Sequence, residues 1–424
     1  MSPHEIQALL GQHPSGHTLP QAFYTDEAVF EFDMQSIFYR QWQFVIPACE
    51  IPKAGDYVTH QVGRYAIVLV RDSEFRIRAF HNVCRHRGAT LCPQANGHVA
   101  KLVCPYHQWT YDLDGSLLFA REMGDNFDAS QYGLKPVHCR DAGGMVFICL
   151  AERAPDFSAF QRQAESYLAP HILHEGKVAF QSTIVEEGNW KLVFENNREC
   201  YHCAGNHPML CRTFLDDPGA INLDGEDDVQ NPLFVEHSEK CEAAGAPSKY
   251  VIADDGSWRF VRSPLIGDSE SYTANGKVAV SKPLSNFPFK QAGALLLFCY
   301  PNSWNHYLSD HSVLFRITPI DASHTQVSTK WIVHNDAQEG KDYSLQELTE
   351  VWQATNLEDK RVVEMCQQGV GSPAYEPGPY SQIHETGVAQ FVDWYADTVR
   401  NHRDEVPLKR TSPNANLNIK LKAS

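Results

Sequence analysis

Between Cys84 and His107 the chain uses one pairing of residues twice. Cys84-Arg-His86 is followed, after 17 intervening residues, by Cys104-Pro-Tyr-His107, so each of two short segments supplies one thiolate and one imidazole. Zinc accepts these four ligands, but common zinc modules pair Cys with Cys and His with His inside each local motif. A two-iron, two-sulfur cluster of mixed ligation needs two thiolates on one iron and two imidazoles on the other, which two loops of this kind provide. The spacing therefore favours iron and sulfur. Neutral imidazoles in place of two thiolates raise the reduction potential by roughly several hundred millivolts, which makes such a cluster a good electron acceptor. Gly88 permits a tight first loop and Pro105 stiffens the second.

The surrounding texture is that of a small all-β domain over residues 41–155. Short β-rich runs at 65–70, 76–80, 102–104, 109–111 and 145–150 are broken by glycines. Ahead of it, residues 1–40 predict a helical segment packed on the larger C-terminal domain. Thr25 is the expected cap, Asp26 and Glu27 stand in the first turn, and Val29, Phe30, Ile37 and Phe38 recur at helical spacing. After Pro155 helical patterns alternate with strands at 294–300, 312–318 and 326–333. Residues 156–424 thus read as a larger α+β domain, a mainly antiparallel sheet flanked by helices. The acidic stretch 216–228 reads as a loop, and the polar tail after Pro407 as a segment that frays.

This second part carries its own constellation. In the run Asn189-Trp-Lys-Leu-Val-Phe-Glu-Asn-Asn-Arg-Glu-Cys-Tyr-His202 the residues from Trp190 to Tyr201 fit a helix, with Glu199 and His202 three apart on one face. His207 follows a break supplied by Gly205 and Pro208, so the two histidines can converge on one ion. Cys200 and Cys203 flank His202 and are read as packing. Downstream, Ser344 and Glu347 form a capping box, and Leu345, Leu348, Trp352, Thr355, Asp359 and Val363 recur along an inward helix face. A carboxylate on such a stripe is costly unless it is paired or metal-bound. Asp359 is therefore either half of a buried salt bridge or, with His202 and His207, the third member of a two-His, one-carboxylate triad for mononuclear Fe(II).

Bulk properties narrow the partners. A formal net charge of -16 disfavours nucleic acid. The longest apolar stretch, around 292–298, is far short of a bilayer span, and the N-terminal residues lack the pattern of a secretory signal, so a cytoplasmic protein is expected. Cys49, Cys92, Cys139, Cys149, Cys211, Cys241, Cys299 and Cys366 are then expected to be packing thiols.

Both constellations, in this order and at this separation, resemble the α subunit of Rieske non-heme iron oxygenases, and the likeness spans nearly the whole chain. The resemblance implies a Rieske [2Fe-2S] cluster on Cys84, His86, Cys104 and His107, and iron on His202, His207 and Asp359. It also implies a homotrimer in which Glu199 bridges His202 to a neighbouring subunit's cluster, and a separate flavin and ferredoxin-type reductase fed by NAD(P)H. Ring-hydroxylating members usually carry Asp at the position of Glu199, whereas members that attack quaternary amines carry Glu. The segments ENNRECYHC, SWNHYLSDH, WIVHNDAQEGKDY, ATNLEDKRVVE and SPAYEPGPYS are similar to those of stachydrine (proline betaine) demethylases and glycine betaine monooxygenases, with Cys211 to Pro218 and the run at Cys241 nearer the former. The expected reaction is N-demethylation of a betaine, proline betaine first and glycine betaine second, with release of formaldehyde and a tertiary amine. The alternative is hydroxylation of an aromatic or alicyclic acid.

A quaternary ammonium has no N–H to donate, so aromatic faces must recognise it. Phe194, Tyr201, Tyr300, Trp304 and Tyr307 lie on or beside the segments nearest the expected iron and are the candidate substrate contacts. A bare electron carrier would need no second metal triad, and a bare betaine-binding protein would need no redox cluster.

Overall fold

The computed structural model describes residues 1–11, 13–216 and 232–402. The expected loop at 216–228, beyond Asp216, and the tail after Pro407 lie outside these residues.

Two seven-stranded antiparallel sheets organise the chain. The first runs in the order Gln43–Pro47, Met145–Cys149, Pro136–Ala142, Ile77–His81, Tyr65–Arg71, Asp56–Val62, Asn96–His98. A three-stranded sheet of Leu102–Val103, Thr110–Tyr111 and Leu117–Phe119 completes this unit. Val68, Val70, Phe80, Trp109 and Tyr111 form its separate small core, which also holds Cys84 and Cys104.

The second sheet runs Gly176–Glu186, His324–His334, Ser312–Asp321, Ser303–Tyr307, Ala294–Cys299, Trp258–Ser263, Val251–Ile252. Its central strands are buried on both faces, so they read as continuous apolar runs, and strand alternation decides which layer each residue meets. Leu295, Leu297, Tyr307 and Leu314 pack against Phe147 of the first sheet and Phe160 of the helix Ser158–Leu168. Leu296, Phe298, Trp304 and Phe315 join Phe194, Trp352 and Phe391, carried by the helices Trp190–Asn196, Leu345–Val370 and Thr386–Asn401.

The N-terminal segment is tied to this helical layer through a buried charge. Asp33 accepts from Lys191 Nζ at 2.5 Å, Trp190 Nε1 at 3.0 Å and Tyr395 Oη at 2.7 Å, and both Asp33 and Lys191 are fully buried. Removing either ion would leave the other unpaired, at a cost of about 3–5 kcal/mol. The helix cap differs from expectation. Thr25 ends a short helix Ala22–Thr25, and Asp26 caps the next, Glu27–Asp33, by accepting from Ala28 N at 2.7 Å. A carboxylate bonds to the free amides of a first turn more strongly than a hydroxyl does, and it also gains from the helix dipole. The expected box at Ser344 forms, with Ser344 Oγ accepting from Glu347 N at 3.2 Å.

Candidate metal centres and the cavity beside them

The two loops that present Cys84, His86, Cys104 and His107 are built alike. Each cysteine carbonyl accepts from the amide four residues on, Gly88 N at 3.0 Å and Gln108 N at 3.1 Å. Each cysteine amide donates to the carbonyl five residues on, Ala89 O and Trp109 O, both at 2.8 Å. The fourth position is left-handed in both loops, with φ of 78° at Gly88 and 60° at Gln108. Glycine takes that conformation at no steric cost, whereas glutamine does not.

The ligand atoms segregate into two pairs. Cys84 and Cys104 are buried neighbours, and burial together with Cys84 raises the Cys104 thiol above its ordinary value. His86 and His107 stand outside them with ring centroids 4.7 Å apart, His86 exposed and His107 half-buried. His86 stacks on Trp109 at 4.8 Å, which fixes its ring. Tyr111 Oη lies 3.4 Å from Cys84 Sγ, in place to donate to a thiolate. Two thiols on one side and two imidazoles on the other suit a cluster with a different ligand pair on each iron.

The second constellation is assembled from distant parts of the chain. The helix stops at Asn196 instead of continuing to His202, and Glu199 meets His202 across a turn, accepting from the amides of Tyr201 and His202. Cys200 and Cys203, expected as packing thiols, are joined in a disulfide. Their Cα atoms lie 4.9 Å apart, within the span a disulfide bridges. The Cys203 sulfur lies within 4.8 Å of both histidine nitrogens, but its bond to Cys200 removes it as a ligand.

Three atoms converge here. His202 Nε2 lies 3.0 Å from His207 Nε2 and 3.2 Å from Asp359 Oδ1, and His207 Nε2 lies 3.0 Å from the same oxygen. Bonds of roughly 2.1 Å at right angles to a first-row divalent ion require edges of about 3.0 Å between ligands. The triangle therefore fits one face of an octahedral ion and leaves the opposite face open.

Further carboxylates set the tautomers. His202 Nδ1–H donates to Glu199 at 2.5 Å and His207 Nδ1–H to Glu358 at 2.9 Å, so both Nε2 atoms point at the shared position. Asn196 Nδ2 donates to Asp359 at 2.7 Å and orients it. Burial alone would push His202 down, but Asp359 and Glu199 outweigh it and hold it at about 10. Burial opposes charge on Asp359 too, and the two histidines pull it below the ordinary carboxylate value. Without a metal the site is a proton-bridged ion cluster, in which a divalent cation can replace the protons. Glu358 carries no metal-site spacing of its own in the sequence. Its one signal was adjacency to Asp359.

Beside the triad opens a small cavity. Of the five aromatic candidates only Trp304 lines it. Phe194 packs beneath, against Tyr300 and Trp304. Tyr300 accepts from Arg198. Tyr201 is 62% exposed and stacks on His384 outside. Tyr307 lies on the opposite face of the sheet, where its hydroxyl meets Met145, because it is three residues from Trp304 on a strand. The same alternation turns His306 inward. Burial depresses it to about 3, so it is neutral near pH 7, and it packs on Trp352 at 4.6 Å. Phe214, Phe298 and Trp352 complete the aromatic lining.

A Rieske [2Fe-2S] domain matches residues 41–127, and the catalytic domain of ring-hydroxylating α subunits matches residues 173–401. The chain belongs to the Rieske non-heme iron oxygenases. It is thus an O2-dependent oxygenase whose cofactors are a [2Fe-2S] cluster and a mononuclear iron. Among relatives, the oxygenase subunit of glycine betaine monooxygenase from Pseudomonas aeruginosa is 45% identical over 94% of this chain and 92% of its own. Its counterpart from Chromohalobacter salexigens is 45% identical over 93% and 89%. The fold is shared with the quaternary ammonium Rieske monooxygenase CntA in complex with L-carnitine, at a TM-score of 0.68 and 24% identity, covering 92% of this chain and 98% of that one. Among the described residues no helix is long and apolar enough to cross a membrane.

Proposed function

We propose that the protein is the terminal oxygenase of a monooxygenase that removes an N-methyl group from a quaternary ammonium betaine. In this reading Cys84, His86, Cys104 and His107 hold the cluster, and His202, His207 and Asp359 hold the iron. The observation that carries the substrate reading is the cavity beside the triad, where the indoles of Trp304 and Trp352 and the rings of Phe214 and Phe298 surround a space whose acidic groups, among the described residues, are Glu199 and Asp359 at its metal end. Aromatic faces are worth roughly 0.5–2 kcal/mol each to a desolvated cation. Neutral His306 adds no repulsion.

When bound, the cluster supplies electrons one at a time and the iron supplies O2 activation. The chain's residues do the rest. Glu199 and Glu358 hold the imidazoles in the tautomer that leaves Nε2 free, and the aromatic wall excludes water and turns an N-methyl group toward the open face of the triad. Insertion of one oxygen atom into a methyl C–H bond gives an N-hydroxymethyl ammonium. Loss of a proton from its hydroxyl with cleavage of the C–N bond releases formaldehyde and a tertiary amine. Two electrons and two protons take the other oxygen atom to water.

Glu199 also offers the route for electrons between copies of the chain, through its bond to His202, toward the exposed His86 and half-buried His107 of a neighbour. A homotrimer, a flavin and ferredoxin-type reductase and a cytoplasmic setting complete the reading. The relatives named for glycine betaine set that substrate ahead of proline betaine.

A panel of betaines assayed with a surrogate reductase tests this. One formaldehyde per O2 consumed is expected with glycine betaine or proline betaine. Hydroxylation of an aromatic acid, with no formaldehyde from either betaine, would overturn the substrate assignment and leave the oxygenase standing.

A further inference from the structure

One row of directly opposed residues crosses five strands beneath the cavity: Thr329, Phe315, Trp304, Phe298 and Arg259. At the Thr329 end stands the helix that carries Asp359, with Asn356 Nδ2 donating to Thr329 Oγ1 at 2.9 Å. At the other end, two strands or about 10 Å beyond Trp304, is Arg259. A second cation reaches the same end from another element. Arg198 follows the helix Trp190–Asn196, lines the cavity and is 1% exposed. Its guanidinium carbon lies 4.5 Å from the centroid of the Phe298 ring, and that of Arg259 lies 4.7 Å from the same centroid.

Arg198 is held firmly but left electrically unmatched. Its Nε donates to Tyr300 Oη at 2.6 Å and its Nη2 to Gln390 Oε1 at 2.5 Å, both neutral acceptors. Its Nη1 is buried with no partner, and among the described residues no carboxylate pairs with this side chain. A buried guanidinium with an idle donor, on a ring that carries a second guanidinium, is an expensive arrangement for a chain to keep without a ligand that repays it. The cavity is thus polarised, with Glu199 and Asp359 at the metal end, aromatic rings between, and two arginines on Phe298.

We propose that Arg198, assisted by Arg259, binds the carboxylate of the substrate, so that the cavity selects zwitterions and rejects simple quaternary amines. This rests on the betaine reading and adds to it the residues that distinguish a betaine from its cationic core. Held at the arginines, a zwitterion lies along the aromatic row with its methylammonium group toward the triad. The same contact that binds it also points the N-methyl group at the open metal face.

The iron- and cluster-loaded enzyme is titrated calorimetrically with glycine betaine, its methyl ester and tetramethylammonium. In the wild type the ester, which keeps the cation but masks the carboxylate, is expected to bind at least about 30-fold more weakly than the acid. In Arg198→Leu the ratio of glycine betaine to tetramethylammonium affinity should fall by at least about 30-fold, with iron and sulfide contents unchanged, and in Arg198→Lys by a smaller factor. Equal binding of ester and acid by the wild type overturns the proposal without recourse to any variant, as does an Arg198→Leu ratio within about threefold of wild type. Wild-type binding of an aromatic carboxylate but no betaine, with the aromatic ligand lost in Arg198→Leu, would leave the anchor standing and remove the betaine reading.

Discussion

The two proposed metal centres are built on opposite plans. The residues proposed for the cluster come from two similar loops close in sequence, and their imidazole side faces solvent. Those proposed for the iron come from segments 157 positions apart, and their convergence is enclosed by helices and an aromatic wall. A site that must accept electrons from another protein gains from an exposed edge. A site that must handle O2 beside a C–H bond gains from excluding water, and exclusion requires several elements to meet.

If the plans are independent, breaking one should spare the other. Asp359→Ala should abolish mononuclear iron binding and lower turnover by at least about 1000-fold while the visible spectrum of the cluster stays unchanged. Loss of both metal centres in that variant would mean that the two units fold as one. Glu199→Gln tests the link between the plans. It keeps the volume and an acceptor for His202 but removes the charge, so turnover should fall by about 100-fold with iron content within about twofold of wild type. Wild-type turnover would show that no charged bridge is needed.

Glu358→Ala removes only the group that orients His207, and iron affinity, measured by competition with a chelator, should weaken by about 10- to 100-fold. A pH series sharpens the contrast further. In the metal-free chain His202 keeps its proton up to about pH 10, so iron must displace at least one proton at neutral pH. Apparent Fe(II) affinity should climb about tenfold per pH unit between about pH 6 and 8, and fall again on acidification. His107 behaves in the opposite sense, because burial, His86 and Arg87 depress it and leave no raised proton to displace. The smallest effect is expected in the loops themselves. Gln108 holds with a side chain the left-handed backbone that Gly88 holds without one, so Gln108→Gly should raise the cluster's thermal retention by up to about 1 kcal/mol. A clear loss would mean that the Gln108 side chain has a role of its own.

What the sequence by itself determined is what short chain spacing can control. The twin Cys and His loops, the pair His202 and His207, the capping box at Ser344 and the inward face that holds Asp359 are all local patterns, set by covalent reach and helical or loop geometry. Glu199 beside His202 belongs with them, although the contact is made across a turn. What only the tertiary structure decided depends on strand register and on where helices cross the sheet. A shift of one residue along a strand sends a side chain to the other face, which is why Trp304 and His306 meet the cavity while Tyr307 meets Met145. Glu358 on His207, Trp352 over His306, and Arg198 and Arg259 on one phenyl ring likewise join residues from separate elements. No spacing in the chain encodes those meetings, because they exist only once the sheet has paired and the helices have packed on it.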